Sequence, residues 1–192
     1  MKTANRQEKL TSAIFLDRDG VINVKLPEGR YVKTPGELVM LPGAVSALRL
    51  LKQLGYLLVI VTNQRGIALG YMSEEDLHRV HESLLEHLNK GGVTLDRLYY
   101  CPHDDNDSCD CRKPQSGMLF RASEEMGISL AASYMVGDSR KDVEAGRNAG
   151  TRTVRIAAER DDQADFTFPS LMDFAVFLQK NTKLPLKASM GS

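Results

Sequence analysis

The sequence predicts an α/β domain with a mostly parallel central sheet. Short apolar runs alternate along the chain with amphipathic stretches of helical period, the signature of βαβ units. One run, Leu57-Leu-Val-Ile-Val61, is apolar at every position, as a strand covered on both faces must be. Polar and charged clusters follow the apolar runs directly, and a parallel sheet binds its ligands outside the carboxyl ends of its strands.

The elements follow in order. Ala13-Ile-Phe-Leu-Asp17 is a short apolar run that ends in an acid. Residues 25–42 hold Pro27, Gly29, Pro35, Gly36 and Pro42, too many breakers for regular structure, and read as a long loop. From Ala44 to Leu54, apolar side chains at 44, 45, 48, 51 and 54 form one helical face, and Gly55 is placed to end it. The Leu57–Val61 strand comes next. Ser73-Glu-Glu-Asp76 resembles a capping box with a shorter acid. Its helix runs to about Asn89 with a core stripe at Leu77, Val80, Leu84, Leu85 and Leu88, and Gly91-Gly92 stop it. Leu98–Tyr100 read as strand, residues 117–126 as helix, Tyr134–Val136 as strand, Lys141–Ala149 as helix and Thr153–Ile156 as strand. Phe166–Phe168 and Leu171–Gln179 supply a last strand and helix.

At 192 residues the chain fits one domain, residues 1–192, with a substantial core. The 25 basic and 25 acidic residues cancel, and no basic block stands out, which disfavours a nucleic-acid partner. The longest apolar run is far too short to span a membrane, and residues 1–11 carry no apolar core of a signal peptide. The expectation is a cytoplasmic monomer with no nucleic-acid or membrane partner. In that reducing compartment thiols serve metals or catalysis more often than disulfides.

The residues after each strand carry the chemistry. They are Asp17-Arg-Asp19-Gly20, then Thr62-Asn63-Gln64, then a cysteine window running into Arg112-Lys113-Pro114, then Gly137-Asp138-Ser-Arg-Lys-Asp142. Asp17, Asp19 and Asp138, gathered in a partly desolvated cleft, would bind protons unless a cation held them ionised. An all-oxygen ligand set favours Mg²⁺. Such a metal attracts phosphate, because it bridges carboxylate and phosphoryl oxygens. Lys113 adds a compact positive charge, and Thr62 and Asn63 add hydrogen-bond donors. A lone D-x-D is weak; this ordered set, each member after a strand, is specific.

The window Cys101-Pro-His103-Asp-Asp-Asn-Asp-Ser-Cys109-Asp-Cys111 holds all three cysteines. A disulfide loop, a redox pair and a metal clamp compete as readings. A Cys109–Cys111 bond would close a very small, strained ring. A Cys101–Cys109 bond would strand Cys111, and no C-x-x-C is present. In extended chain, residues i and i+2 point the same way. Cys101 with His103, and Cys109 with Cys111, can therefore each reach one point. Three thiolates and one imidazole make a closed tetrahedral Zn²⁺ set with no open position for water, a structural site. The spacings are tighter than those of zinc fingers, so spacing alone does not decide between the readings. His78, His81 and His87 read as a solvated surface of their helix.

AIFLDRDGVIN, LVIVTNQ, CRKP and YMVGDSRKDVEAG resemble the four motifs of the haloacid dehalogenase superfamily of phosphohydrolases, over roughly residues 12–157. IFLDRDGVIN, VTNQRGIALG, YYCPH, CDCRKP and ASYMVGD are similar to its D-glycero-D-manno-heptose 1,7-bisphosphate phosphatase branch. The resemblance implies a Rossmann-like three-layer sandwich with a zinc-binding loop. No stretch is long enough for a folded cap, so the domain is expected to be capless. It implies a Mg²⁺-dependent phosphatase that takes a phosphorylated sugar, the heptose 1,7-bisphosphate, to the heptose 1-phosphate through an aspartyl-phosphate. Asp17 would be the nucleophile, and Asp19 the general acid and then the general base. Asp17, Asp19 through its backbone carbonyl, and Asp138 would hold Mg²⁺, with Asp142 just behind. Thr62 and Lys113 would steady the phosphoryl oxygens, and Asn63, Gln64, Arg112 and Arg30 would meet the substrate. Cys101, His103, Cys109 and Cys111 would hold Zn²⁺. The short stretch between the two ligand pairs is similar to that of the related histidinol-phosphate phosphatases, which keeps that activity as an alternative. A non-catalytic, zinc-stabilised phosphate-binding module is a second alternative, against which the intact Asp17, Asp19, Lys113 and Asp138 set argues.

Overall fold

Six strands form one parallel sheet in the computed structural model, which describes residues 11–181. They are β1 (Ala13–Leu16), β2 (Leu57–Asn63), β3 (Arg97–Cys101), β4 (Tyr134–Gly137), β5 (Arg152–Ile156) and β6 (Phe166–Phe168). Their order is β3-β2-β1-β4-β5-β6, and every neighbouring pair is parallel. The chain winds from β1 outward to β3, then crosses to β4 on the other side of β1. That reversal makes a crevice outside the carboxyl ends of β1 and β4, where doubly wound sheets take their ligands.

The helices are α1 (Ala44–Gln53), α2 (Glu74–Lys90), α3 (Gly117–Met126), α4 (Arg140–Ala149) and α5 (Leu171–Asn181). Two apolar clusters put them in two layers. Ile14, Leu16, Leu58 and Ile60 point into a core with Leu48 and Leu51 of α1, Val80 and Leu84 of α2, and Phe174 of α5. Ala13, Phe15, Val59 and Val61 point the other way, against Met118 and Leu119 of α3 and Ala149 of α4. This is why β1 and β2 show no polar alternation: each successive side chain enters a different core. Each fully buried Ile, Leu or Phe contributes about 1.5–3 kcal/mol, so the double coverage makes the central strands the rigid base for the residues that follow them.

Caps close the elements as the sequence suggests. Ser73 Oγ accepts from the Asp76 N–H at 3.1 Å, and Asp76 Oδ2 accepts from the Ser73 N–H at 2.8 Å. Gly55 ends the turn after α1 with φ of 91°, a left-handed conformation open to glycine. Residues 25–42 hold the short 3₁₀ turn Pro35–Glu37 and an isolated bridge from Met40 to Asn23.

Two expectations need correction. The second strand does not stop at Val61: Thr62 and Asn63 pair with Tyr100 and Cys101, so these polar residues are the end of the strand. His81 is not on a solvated surface. It is 6% exposed, with Nε2 3.2 Å from Arg18 Nη1. One turn after Leu77, position 81 falls inside the buried stripe. Among the described residues no helix is long and apolar enough to cross a membrane. The expectation about a targeting segment falls on residues 1–11, of which only Thr11 is described.

Candidate active site

Lys113 sits at the centre of the crevice with only 2% of its side chain exposed. Its Nζ lies 2.9 Å from Asp17 Oδ1 and 2.6 Å from Asp142 Oδ1, and it donates to the Val61 carbonyl at 2.8 Å. Burial opposes the lysine charge, but the two carboxylates outweigh it and raise its pKa above the ordinary range. Burial pushes Asp17 up to about 7; Lys113 pulls it down, while Asp142 and Asp19 push it further up. Asn63 fixes the Lys113 backbone from the end of β2: its Nδ2 donates to the Lys113 carbonyl and its Oδ1 accepts from the Lys113 N–H, both at 3.0 Å.

Asp138 follows β4. Its Oδ2 accepts from Lys25 Nζ at 2.6 Å, whereas its buried Oδ1 has no hydrogen-bond partner among the described residues. Carboxylate oxygens of Asp17, Asp138 and Asp142 lie within 4.8 Å of one another. Two glycines permit this approach. A Cβ on Gly20 would stand 2.5 Å from Asp138 Oδ2, and one on Gly137 would stand 2.1 Å from Asp142 Cβ. Asp142 also caps α4, its Oδ2 accepting from the Ser139 N–H and hydroxyl at 2.9 and 2.6 Å.

The Asp19 carboxylate accepts from Arg18 Nη2 at 3.0 Å, Asn23 Nδ2 at 2.8 Å and Gln64 Nε2 at 3.2 Å. Arg18 is itself 1% exposed. Burial, then the Arg18 charge, pushes His81 down to about 3, so it stays neutral and accepts from the guanidinium. Thr62 lies behind Gln64, whose Nε2 donates to the Thr62 hydroxyl at 3.0 Å. A cavity of about 400 Å³ opens over these groups, and Asn63, Gln64, Arg30 and Arg112 line it together with Asp17 and Asp138. Thr62 does not border it. Sequence reasoning missed Lys25, Arg18 and His81. Only the place of Arg18, between the two acids of D-R-D, could have flagged it.

The cysteine window folds back on itself. Cys111 Sγ lies 3.1 Å from Cys101 Sγ, Cys109 Sγ lies 3.7 Å from Cys101 Sγ, and His103 Nδ1 lies 3.5 and 3.3 Å from Cys101 and Cys111 Sγ. The four ligand atoms fall within 4.8 Å of one another, a group that could hold a metal ion. No disulfide joins the three cysteines.

A profile described as HAD-hydrolase-like matches residues 110–175. The D-glycero-β-D-manno-heptose-1,7-bisphosphate 7-phosphatase of Salmonella typhi is 40% identical over 189 residues, covering 91% of this chain and 99% of that protein. The enzyme of the same name from Haemophilus influenzae is 39% identical and covers 91% and 100%. Among solved structures, the D,D-heptose 1,7-bisphosphate phosphatase of B. bronchiseptica, crystallised with magnesium and phosphate, superposes with a TM-score of 0.82. It is 30% identical and covers 90% of this chain and 100% of its own.

Proposed function

This chain belongs to the haloacid dehalogenase-like phosphatases, in the D-glycero-β-D-manno-heptose-1,7-bisphosphate 7-phosphatase branch, and from that premise we propose that it removes the 7-phosphate of that sugar bisphosphate to leave the heptose 1-phosphate. As a member of the family it is a phosphoric monoester hydrolase. The observation that carries the phosphatase reading is the convergence of Asp17, Lys113, Asp138 and Asp142 at the switch of the sheet; the sugar bisphosphate is the substrate named for the relatives.

In this reading Asp17 attacks phosphorus, with Oδ1 held by Lys113, and the aspartyl-phosphate divides one difficult displacement into two easier ones. Asp19 protonates the departing sugar oxygen and then takes the proton of the attacking water. Arg18, Asn23 and Gln64 hold its carboxylate in a single orientation for both transfers. Lys113 serves the phosphoryl oxygens through its charge, whereas Thr62, buried behind Gln64, steadies the amide that holds Asp19. Asn63, Gln64, Arg112 and Arg30 meet the rest of the substrate along the cavity wall.

Asp17, Asp138 and the backbone carbonyl of Asp19 would hold Mg²⁺. The unpartnered Asp138 Oδ1 and the cluster of carboxylates fit a hard cation. When bound, Mg²⁺ neutralises these acids and the phosphoryl oxygens that meet them. Cys101, His103, Cys109 and Cys111 would hold structural Zn²⁺; the 3.7 Å Cys101–Cys109 separation is that of two sulfurs about 2.3 Å from a shared tetrahedral ion, while the 3.1 Å Cys101–Cys111 pair stands closer. The same reading takes residues 1–192 as one capless domain acting as a cytoplasmic monomer on a small phosphorylated sugar, without nucleic-acid or membrane partners.

Phosphate release from heptose 1,7-bisphosphate, other sugar bisphosphates and histidinol phosphate, with and without Mg²⁺, tests the proposal. Mg²⁺-dependent release from the heptose is expected to lead the panel. Rapid turnover of histidinol phosphate with none of the heptose would refute it. Asp17→Asn should abolish turnover while far-UV circular dichroism is unchanged; an active variant would sink the mechanism.

A further inference from the structure

We propose that Asp105, in the stretch between the two metal-ligand pairs, is a positioning residue that orients Arg112 toward the substrate phosphate that is not cleaved. The inference rests on the sugar-bisphosphate reading above.

Asp105 draws together cations from three separate parts of the chain. Its Oδ1 accepts from Arg112 Nε at 2.8 Å and from Lys141 Nζ at 3.1 Å. Its Oδ2 lies 3.4 Å from Arg65 Nη1. Arg65 follows β2 and also pairs with Asp104, Arg112 follows the last cysteine, and Lys141 lies in the first turn of α4. Arg112 Nη1 donates in addition to the His103 carbonyl at 3.2 Å. A guanidinium is planar, so a bond at Nε and another at Nη1 fix its plane and leave the Nη2 edge for a ligand.

Arg112 and Lys141 both line the cavity, and both nitrogens contact the same carboxylate oxygen. Without that carboxylate the two like charges would repel and separate. With it they are held side by side, and one carboxylate does not neutralise them. Arg30 and Arg140 also line the cavity and have no ion pair among the described residues. The wall therefore carries excess positive charge, suited to a dianionic phosphate. Lys113, the next residue, is committed to Asp17 and Asp142 on the cavity floor. The floor thus serves the phosphoryl group being transferred, and the wall organised by Asp105 serves the other.

Asp105→Asn keeps the shape and removes the charge. For the sugar bisphosphate, KM is expected to rise about tenfold with kcat within twofold of the parent. For p-nitrophenyl phosphate, which has no second phosphate, KM should move less than twofold. Asp105→Glu should recover most of the loss. Adding Asp105→Asn to Arg112→Ala should cost much less than it costs the parent, since most of its effect runs through that one guanidinium. Zinc content should match the parent. An unchanged KM for the bisphosphate overturns the inference alone, as does an equal loss on both substrates, which marks a merely structural role. A parent that cleaves the aryl phosphate but no sugar bisphosphate overturns the substrate reading and this inference with it.

Discussion

Replacing Lys113 with Met keeps the length of the buried stem and deletes its charge. The ammonium stands 2.9 Å from Asp17 and 2.6 Å from Asp142, and Asp142 is 1% exposed. Removing one partner of a buried ion pair costs about 3–5 kcal/mol, because the charge left behind is neither paired nor hydrated. Protonation limits that loss. Asp17 already titrates near 7 with the lysine present, and without it takes up a proton readily at neutral pH. The lower end, about 3 kcal/mol at pH 7 without added metal, is therefore expected. Domain stabilities are about 5–15 kcal/mol, so the variant should fold but with a clear deficit. At a urea slope of about 2 kcal/mol per molar, the unfolding midpoint should fall by roughly 1.5 M. The chain has no Trp, so far-UV circular dichroism is the suitable probe. Adding Asp142→Asn should restore part of the midpoint by removing the orphaned charge. A midpoint within about 0.3 M of the parent, or a double variant weaker than the single, would show that Lys113 is not the counter-ion that its geometry indicates.

Cys109→Ser should lower both zinc content, measured by elemental analysis, and the melting temperature; full zinc occupancy would contradict the ligand set. His81 is held down to about 3 in the folded protein against about 6.5 when unfolded. Below pH 6.5 the unfolded state therefore binds the extra proton, and the stability this group gives above that pH is lost as pH falls toward 3. His81→Gln should flatten the decline by about 1 kcal/mol between pH 6 and pH 5 in urea titrations; parallel pH curves would show that His81 is charged in the fold. Gly20→Ala would set a Cβ 2.5 Å from Asp138 Oδ2 at a φ of 87°. It should cost about 1–3 kcal/mol and raise the Mg²⁺ concentration needed for half-maximal activity; a variant with parental stability and Mg²⁺ response would show that the loop yields freely.

What the sequence made legible was whatever depends on local period. The two-core alternation of β1 and β2, the capping box at Ser73 and the helix at 117–126 all follow from neighbours in the chain. So do the i, i+2 pairs of the metal loop, and the structure brings them together. What stayed hidden depends on partners far away in sequence. His81 is a polar residue in an apolar stripe, and Arg18 on the first loop gives its buried ring a polar partner. Lys25 lies in a loop with no period at all, yet its ammonium reaches Asp138. Thr62 and Asn63 look like the start of a loop because they are polar, but pairing with β3 keeps them in the strand.

The stretch from Pro102 to Ser116 has no regular structure to hold it, and it carries Arg112 and Lys113, which the proposed chemistry needs held. Its aspartates make mostly exposed hydrogen bonds, each worth about 1 kcal/mol. Cys101 and Cys111 are buried beside Phe15 and Val61, which anchors both ends of the loop to the sheet. A closed zinc set contributes on the order of 10–16 kcal/mol, far more than those bonds together. Bound there, it would tie the end of β3 to the residue before Arg112. The clamp at Asn63 then fixes Lys113. Fixed from both sides, Lys113 has one place to put its charge, between Asp17 and Asp142, and Asp105 does the same for Arg112 one residue earlier. On the proposed reading, a zinc ion held by this loop and the carboxylates of Asp17 and Asp142 would be parts of one arrangement: the first would supply the rigidity that a loop cannot supply for itself, and the second would require it.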